Sequence, residues 1–397
     1  MPERSAPIVG VPLNATARVA PPPTHGIAPV NTPHSSRQDI YYWKCDRPAA
    51  FHGTAQGAAR AAQPETVARV RDLLTRHLGQ APAALRDGGG QGNHATFVAD
   101  VAGRSYFVRI EDGPEQDDYM TVESEVMARV RALGVPTPQL FATDATRREV
   151  PFAWQIMELV AEPDLNRLFK AGTLDTDRVA EQLGRLIATW QAVPVEGFGP
   201  FEVGRVGTDR TLRGLHSSYT GYFFTRLDAH LAFLVDREFL APARATEIRA
   251  GIETHHSLLD LSAGCLVHKD IALWNVLGTV DKITAVIDWD DCIAGDPMDD
   301  LALLGCFHNG AFLRRAFTGY AAVRALPDNH VARFWLHLLR NMIFKAVIRV
   351  GAGYFKLDGE FFLIGAAGTG SSLREQTQSR IDAALRGLRE NRDPFTL

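Results

Sequence analysis

From Pro64 the chain carries Val67, Val70, Leu73, Leu74 and Leu78, apolar positions three or four apart that predict a helix opened by proline. The period then shortens. Phe97, Val98 and Val101, followed by Tyr106, Phe107, Val108 and Ile110, predict two strands joined by a turn at Gly103. A second helix is expected at about 121–133, closed by Gly134, and PFAWQIMELV (151–160) reads as another apolar strand. Beyond about residue 164 the texture is helical. Val179, Leu183, Leu186, Ile187 and Trp190 fit one helix, Tyr219 to Leu234 a second and Ile248 to Leu261 a third. Phe334 to Val350 fits a fourth, with Leu336, Leu339, Ile343, Val347 and Val350 on a core face. Residues 194–214 form a glycine-rich excursion, and 264–290 hold short apolar strands between polar turns. A small sheet-rich lobe (about 80–160) therefore precedes a larger helical lobe, and no internal repeat is visible.

The N-terminal region has a different character. Residues 1–33 hold eight of the 22 prolines, so 1–38 reads as a disordered tail. Residues 39–63 form an aromatic extension in which Tyr41, Tyr42 and Trp43 stand beside Lys44, Asp46 and Arg47. Three adjacent aromatics imply docking, either onto the main body or as a flap over a ligand site. The division that follows is 64–160 as the N-lobe and 161–397 as the C-lobe.

With 42 Lys and Arg against 46 Asp and Glu, the net charge of −4 excludes a nucleic-acid binder acting through bulk positive charge. Hydrophobic residues at 46% exclude global disorder. The four cysteines show no metal-ligand spacing and read as free buried thiols. No apolar run is long enough for a membrane span, no signal-like segment opens the chain, and a cytoplasmic protein is expected.

The stretch VHKDIALWNVLGTVDKITAVIDWDD (267–291) carries the chemistry. Asp270 is followed five residues later by Asn275, and 18 residues later by Asp288 at the end of an apolar strand. Phosphoryl transfer to a hydroxyl needs a carboxylate to orient the acceptor and take its proton, and hard oxygens to hold Mg²⁺ against the nucleotide phosphates. Asp270 suits the first role, and Asn275 and Asp288 the second.

HKDIALWNVL and AVIDWDDCIAGDPMDDLALL resemble the signature of the aminoglycoside phosphotransferase and choline-kinase-like family. The resemblance spans roughly residues 80–310. It implies an α+β, protein-kinase-like bilobal fold, with a small N-terminal antiparallel-sheet lobe and a larger, mostly helical C-lobe. It also implies transfer of the γ-phosphate of ATP or GTP, with Mg²⁺, to a hydroxyl of a small molecule, an aminoglycoside-type antibiotic first among the classes. GGGQGNHATFVADVAGRSYFVRI (88–110) resembles the family's nucleotide-covering hairpin, which places Gly89, Gly90, Gly92 and Asn93 against phosphate. By the same resemblance Arg109 clamps phosphates and pairs with a helix glutamate. Glu123 is the residue whose offset fits, and Glu125 is its competitor; two residues apart on a helix, they face about 200° apart. QIMELV resembles the inter-lobe strand, which would set Met157, Glu158 and Val160 beside the nucleotide base.

Two positions depart from the family's pattern. Lys269 stands where glycine is usual, and Trp274 where a smaller residue is usual. Lys269 is expected to favour the ionised form of Asp270 or to touch the γ-phosphate, and Trp274 to stack on the acceptor or shrink its pocket. Asp290 and Asp291, with Glu162, Asp164 and Asp299, either line an acidic wall for a cationic acceptor or are solvated surface carboxylates. His268, Asp296 and Asp300 read as structural. A protein kinase is disfavoured because no Ala-Pro-Glu follows Asp288. A kinase of a sugar or amino alcohol, and a catalytically silent nucleotide-binding scaffold, are the alternatives.

Overall fold

A computed structural model of the protein describes residues 37–47, 63–89, 94–357, 361–364 and 368–397. The proline-rich tail up to residue 36, and Gly90, Gly92 and Asn93 of the glycine run, lie outside the described residues.

A short helix α1 (Trp43–Asp46) precedes α2 (Pro64–Leu78), β1 (Ala84–Asp87), β2 (Ala95–Val101), β3 (Arg104–Glu111), α3 (Met120–Ala132), β4 (Leu140–Asp144) and β5 (Ala153–Glu158). The five strands form one antiparallel sheet in the order β1-β2-β3-β5-β4. β2 buries alternate residues, Ala95, Phe97, Ala99 and Val101, as period-two patterning requires. That face packs with Val70, Leu73 and Leu74 of α2 and with Trp154 and Ile156 of β5. The β2–β3 hairpin turns through Ala102 (φ 51°) and Gly103 (φ 76°), the left-handed pair that a tight two-residue connection needs.

The second lobe contains α4 (Leu165–Lys170), α5 (Thr176–Trp190), β6 (Phe198–Phe201), α6 (Val203–Asp209), β7 (Gly214–His216), α7 (Tyr219–Phe224), α8 (Leu227–Asp236) and α9 (Pro242–Thr254). It continues with β8 (Cys265–Val267), β9 (Val276–Gly278), β10 (Ile283–Val286), β11 (Ile293–Gly295), α10 (Asp299–Leu304), α11 (Gly310–Ala321), α12 (His330–Gly351) and α13 (Gly370–Glu390). Its strands form a β9–β10 pair and a small sheet ordered β7-β6-β11-β8. The loop from β8 to β9 carries Asp270 and Asn275, and Asp288 follows β10. The buried 22-residue helix α12 runs through the main core and spans about 33 Å at 1.5 Å per residue.

Three elements differ from the periodicity reading. The expected helix at 219–234 is two, because Arg226 adopts a left-handed φ of 61° and redirects the chain. The third helix begins at Pro242, proline being favoured in a first turn, and its α-helical part ends at Thr254. The glycine-rich excursion contains β6, α6 and β7.

The described part of the aromatic extension docks on the helical lobe. Tyr41, Tyr42 and Cys45 are buried in the main core. Tyr41 stacks on Tyr222 with ring centroids 5.0 Å apart, and Tyr42 stacks on Phe344 at 4.2 Å. The Arg340 guanidinium lies 3.4 Å from the Tyr41 centroid. Asp46 fixes the turn: one of its oxygens accepts the backbone N–H groups of Tyr41 and Tyr42, each at 3.0 Å, and the other meets His230 Nε2 at 2.7 Å. All four cysteines are free and buried.

Candidate active site

The buried Asp270 carboxylate is the centre of the site. Asn275 Nδ2 donates to its backbone oxygen at 2.8 Å and reaches Oδ2 at 3.4 Å. Asn275 is tied in turn to the next strand end, since Ile287 N donates to its backbone oxygen at 3.0 Å. The five-residue spacing from Asp270 and the position after β10 thus bring Asp270, Asn275 and Asp288 to one place. His268 braces the loop. Its Nε2 donates to Ile287 O at 3.0 Å and its Nδ1 accepts from Asp270 N at 3.3 Å, so burial holds the ring neutral with a lowered pKa. Asp300 accepts the backbone N–H groups of His268 and Lys269 and the Trp190 indole N–H, and Asp296 pairs with Arg333 and His337.

Two lysines address Asp270. Lys44 of α1 lies 3.0 Å from Oδ2 and Lys345 of α12 lies 3.4 Å from Oδ1. Burial would raise the carboxyl's pKa, but the two ammonium groups outweigh it and hold it below the ordinary carboxylate range.

Arg109 of β3 forms a buried ion pair with Glu123 of α3 and reaches Asp288 at 3.3 Å. Glu123 also accepts from Gln155 of β5 at 3.2 Å and from Trp289 N at 3.1 Å, joining both lobes at the site. Glu125 faces the other way and pairs with Arg129 and Arg210. Met157 and Glu158 end β5 and Val160 is half-buried just beyond it. Glu158 N is engaged with Gln139 O at 2.8 Å. Gly89, at φ 67°, lies at the described edge of the glycine run, and its N–H donates to Asp87 at 2.9 Å.

Asp288, Asp290 and Asp291 cluster behind Arg109. Burial and repulsion from Asp290 push Asp288 up to about 6 and Asp291 up to about 7. Asp290 Oδ1 and Asp291 Oδ2 are buried without a hydrogen-bond partner. Within this cluster Asp288 offers a hard carboxylate oxygen, and Asn275 adds a neutral amide oxygen, the donor types that Mg²⁺ takes.

Several expectations are corrected. Lys269 points away from Asp270 into the core, where its ammonium meets Asp299 at 2.6 Å, Tyr41 OH at 3.0 Å and Asn341 at 3.2 Å. Its φ of 70° explains why glycine fits that position readily. Asp299 is thereby removed from any acidic wall, and Asp164 caps α4. Asp290 and Asp291 do not present a free wall either. His94 contacts Asp290 at 3.3 Å, and Arg37 donates to the Asp290 backbone oxygen at 2.7 Å and lies 4.0 Å from Asp291. Trp274 packs edge-on against Phe307 and Phe362, with centroids 4.7 and 5.1 Å away, an aromatic corner beside the loop. Sequence reasoning missed Lys44, Lys345, Arg37 and His94 as members of this charge network.

A family model described as the phosphotransferase enzyme family matches residues 83–335. No curated protein is matched by the sequence. Among solved structures the fold is similar to the aminoglycoside phosphotransferase APH(4)-Ia, at 17% identity and a TM-score of 0.57, covering 81% of this chain and 98% of that one. A mutant of that protein has been captured in a ternary complex with ADP and hygromycin B. A candidate fructosamine-3-kinase from Haemophilus somnus is similar at 13% identity and a TM-score of 0.52, covering 83% and 99% of the two chains.

Proposed function

The chain belongs to the phosphotransferase enzyme family; from that premise we propose that it is a small-molecule kinase, which moves the γ-phosphoryl group of ATP or GTP to a hydroxyl of a small molecule, with Asp270 as the base. The observation that carries this reading is the convergence of Asp270, Asn275 and Asp288 on hydrogen-bonded neighbouring backbones, with Arg109 reaching Asp288 from the other lobe. Asp270 accepts a hydrogen bond from the acceptor hydroxyl and aligns its oxygen with phosphorus. The new O–P bond forms as the bond from the γ-phosphorus to the bridging oxygen breaks. The hydroxyl proton passes to Asp270 and the electron pair leaves with the nucleoside diphosphate. A low-pKa carboxylate suffices, because positioning and charge stabilisation supply most of the acceleration in this chemistry. Arg109 contributes a cation to the phosphates, and Glu123 keeps it aimed. Asn275 and Asp288 would hold Mg²⁺, which neutralises charge on the phosphate oxygens when bound. The glycine run from Gly89 is assigned to the phosphates, and the end of β5 at Met157 and Glu158, with Val160 just beyond it, to the nucleotide base.

In this reading residues 64–160 bind nucleotide, residues 161–397 carry the acceptor, and the enzyme works in the cytoplasm beside its nucleotide supply. Likeness to APH(4)-Ia puts an aminoglycoside first among acceptors. A sugar-type or other uncharged acceptor is the second reading. It is favoured by Asp290, Asp291 and Asp299 being engaged internally while lysines face Asp270.

The test is nucleotide consumption with ATP or GTP and Mg²⁺ across aminoglycosides, sugars and amino alcohols. Turnover confined to one class identifies the acceptor. Nucleotide binding without turnover of any acceptor supports the silent scaffold instead.

A further inference from the structure

Lys44 lies outside the segment that matches the phosphotransferase family, yet its ammonium sits on the carboxylate assigned as the base. Its location is built rather than incidental. Two residues before it, Tyr42 stacks on Phe344 and is buried; two residues after it, Asp46 ties the backbone of Tyr41 and Tyr42 to His230. Tyr222 OH donates to Tyr41 O at 2.9 Å. The segment therefore holds Lys44 over the loop, as much a part of the site as the loop itself.

Geometry constrains what a cation there can do. An acceptor hydroxyl must approach an Asp270 oxygen to about 2.6–3.2 Å, with the phosphorus in line beyond it. A group 3.0 Å from Oδ2 is a neighbour of the reacting atoms. The two lysines on Asp270 differ in freedom. The Lys345 side chain is 9% exposed and packed over Phe307 and Phe344, whereas that of Lys44 is 33% exposed. Lys44 also feels the charges of Asp288, Asp290 and Asp291.

We propose that Lys44 is a catalytic residue supplied by the N-terminal segment, whose ammonium contacts the γ-phosphoryl group. Without nucleotide it rests on Asp270. With nucleotide present it turns to the γ-phosphoryl oxygens, where charge is spread during transfer, and frees Oδ2 for the acceptor hydroxyl. The inference rests on the phosphotransferase reading, and its test needs no acceptor.

The measurement is the dissociation constant of AMP-PNP and of ADP, each with Mg²⁺, for the wild-type chain, K44M and K44R. K44M keeps most of the aliphatic stem and removes the charge. The expected result is that K44M weakens AMP-PNP about ten- to a hundredfold and leaves ADP nearly unchanged, with K44R restoring part of the difference. A purely structural role for Lys44 predicts that both nucleotides weaken together or that neither does, and either pattern overturns the proposal. If K44M does not fold, K44Q removes the same charge and carries the same comparison, with an unchanged AMP-PNP to ADP ratio counting against the proposal. A wild-type chain that binds neither these nucleotides nor GMP-PNP and GDP overturns the phosphotransferase reading as well.

Discussion

Replacing Asp46 by alanine tests how the N-terminal segment is held. Three donors converge on that buried carboxylate: Tyr41 N and Tyr42 N at 3.0 Å and His230 Nε2 at 2.7 Å. His230 cannot turn to another acceptor cheaply, because its Nδ1 is already engaged by Arg340 at 3.1 Å. Each buried donor left without an acceptor costs about 1–3 kcal/mol, so D46A destabilises the docked segment by about 4 kcal/mol or more. That raises the population of the undocked segment about a thousandfold. The loss is expected to fall on local opening of the segment, which α12 and the rest of the core survive. The assay is native-state trypsin cleavage after Lys44, followed by mass spectrometry, since cleavage tracks the open population when reclosing is fast. D46A is expected to be cut there far faster than the wild type while the main body stays resistant. D46N, which keeps one acceptor oxygen, is expected to fall between them. A cleavage rate after Lys44 in D46A no higher than a few times the wild-type rate refutes the reasoning.

Three further outcomes follow from the charge network. E123A is expected to lower stability by about 3 kcal/mol, since the buried Arg109 keeps only Asp288 and both Gln155 and Trp289 N lose an acceptor, whereas E125A, whose partners are the less buried Arg129 and Arg210, costs about 0–1 kcal/mol; urea unfolding of both variants separates them. K269M is expected to lose about 3–5 kcal/mol by leaving Asp299 without its cation, and the double variant with D299N to recover much of that, read by the same denaturation. Acid should loosen the N-terminal segment. Burial under the docked segment lowers the pKa of His230 of α8, so below about 6.5 undocking lets His230 take up a proton that it refuses while the segment is docked, and docking weakens as pH falls. For Asp46, burial is outweighed by His230 and the backbone donors, so its folded pKa is also low; its contribution is present above about 3.9 and is lost as pH falls through the folded value. Hydrogen exchange at the Tyr41 and Tyr42 amides, corrected for intrinsic rate, should show protection falling from pH 7 to 5, and constant protection would contradict the assignment.

The legible parts of this protein were those with local signals. Apolar alternation marked β2, consecutive apolar residues marked β3, and the spacing of Asp270, Asn275 and Asp288 pointed to residues that the structure brings together. The helix geometry that separates Glu123 from Glu125 by about 200° allowed only one to meet Arg109, and the structure places Glu123 there. What depended on distant contacts was not legible. Lys269 reads as a neighbour of Asp270 along the chain, but a left-handed φ of 70° turns its side chain to Asp299 instead. Asp290 and Asp291 look like surface carboxylates until Arg37 and His94 arrive from other elements. A signal on α12 was present but was masked by its apolar face. His337, Asn341, Lys345 and Arg349 recur every four residues, a polar ridge on a core helix. In the structure that ridge meets Asp296, Asp299, Asp270 and Thr377 in turn. Lys44 carried no local mark, because its partner lies 226 residues away.

The most direct test of the central claim compares the wild-type chain with D270N in phosphoryl transfer from ATP or GTP to the acceptor found in the panel, alongside nucleotide affinity. The account predicts a fall in turnover of about 10²–10⁴-fold with nucleotide binding retained. D270N turning over at the wild-type rate would contradict the assignment of Asp270 as the base and, with it, the mechanism built on it.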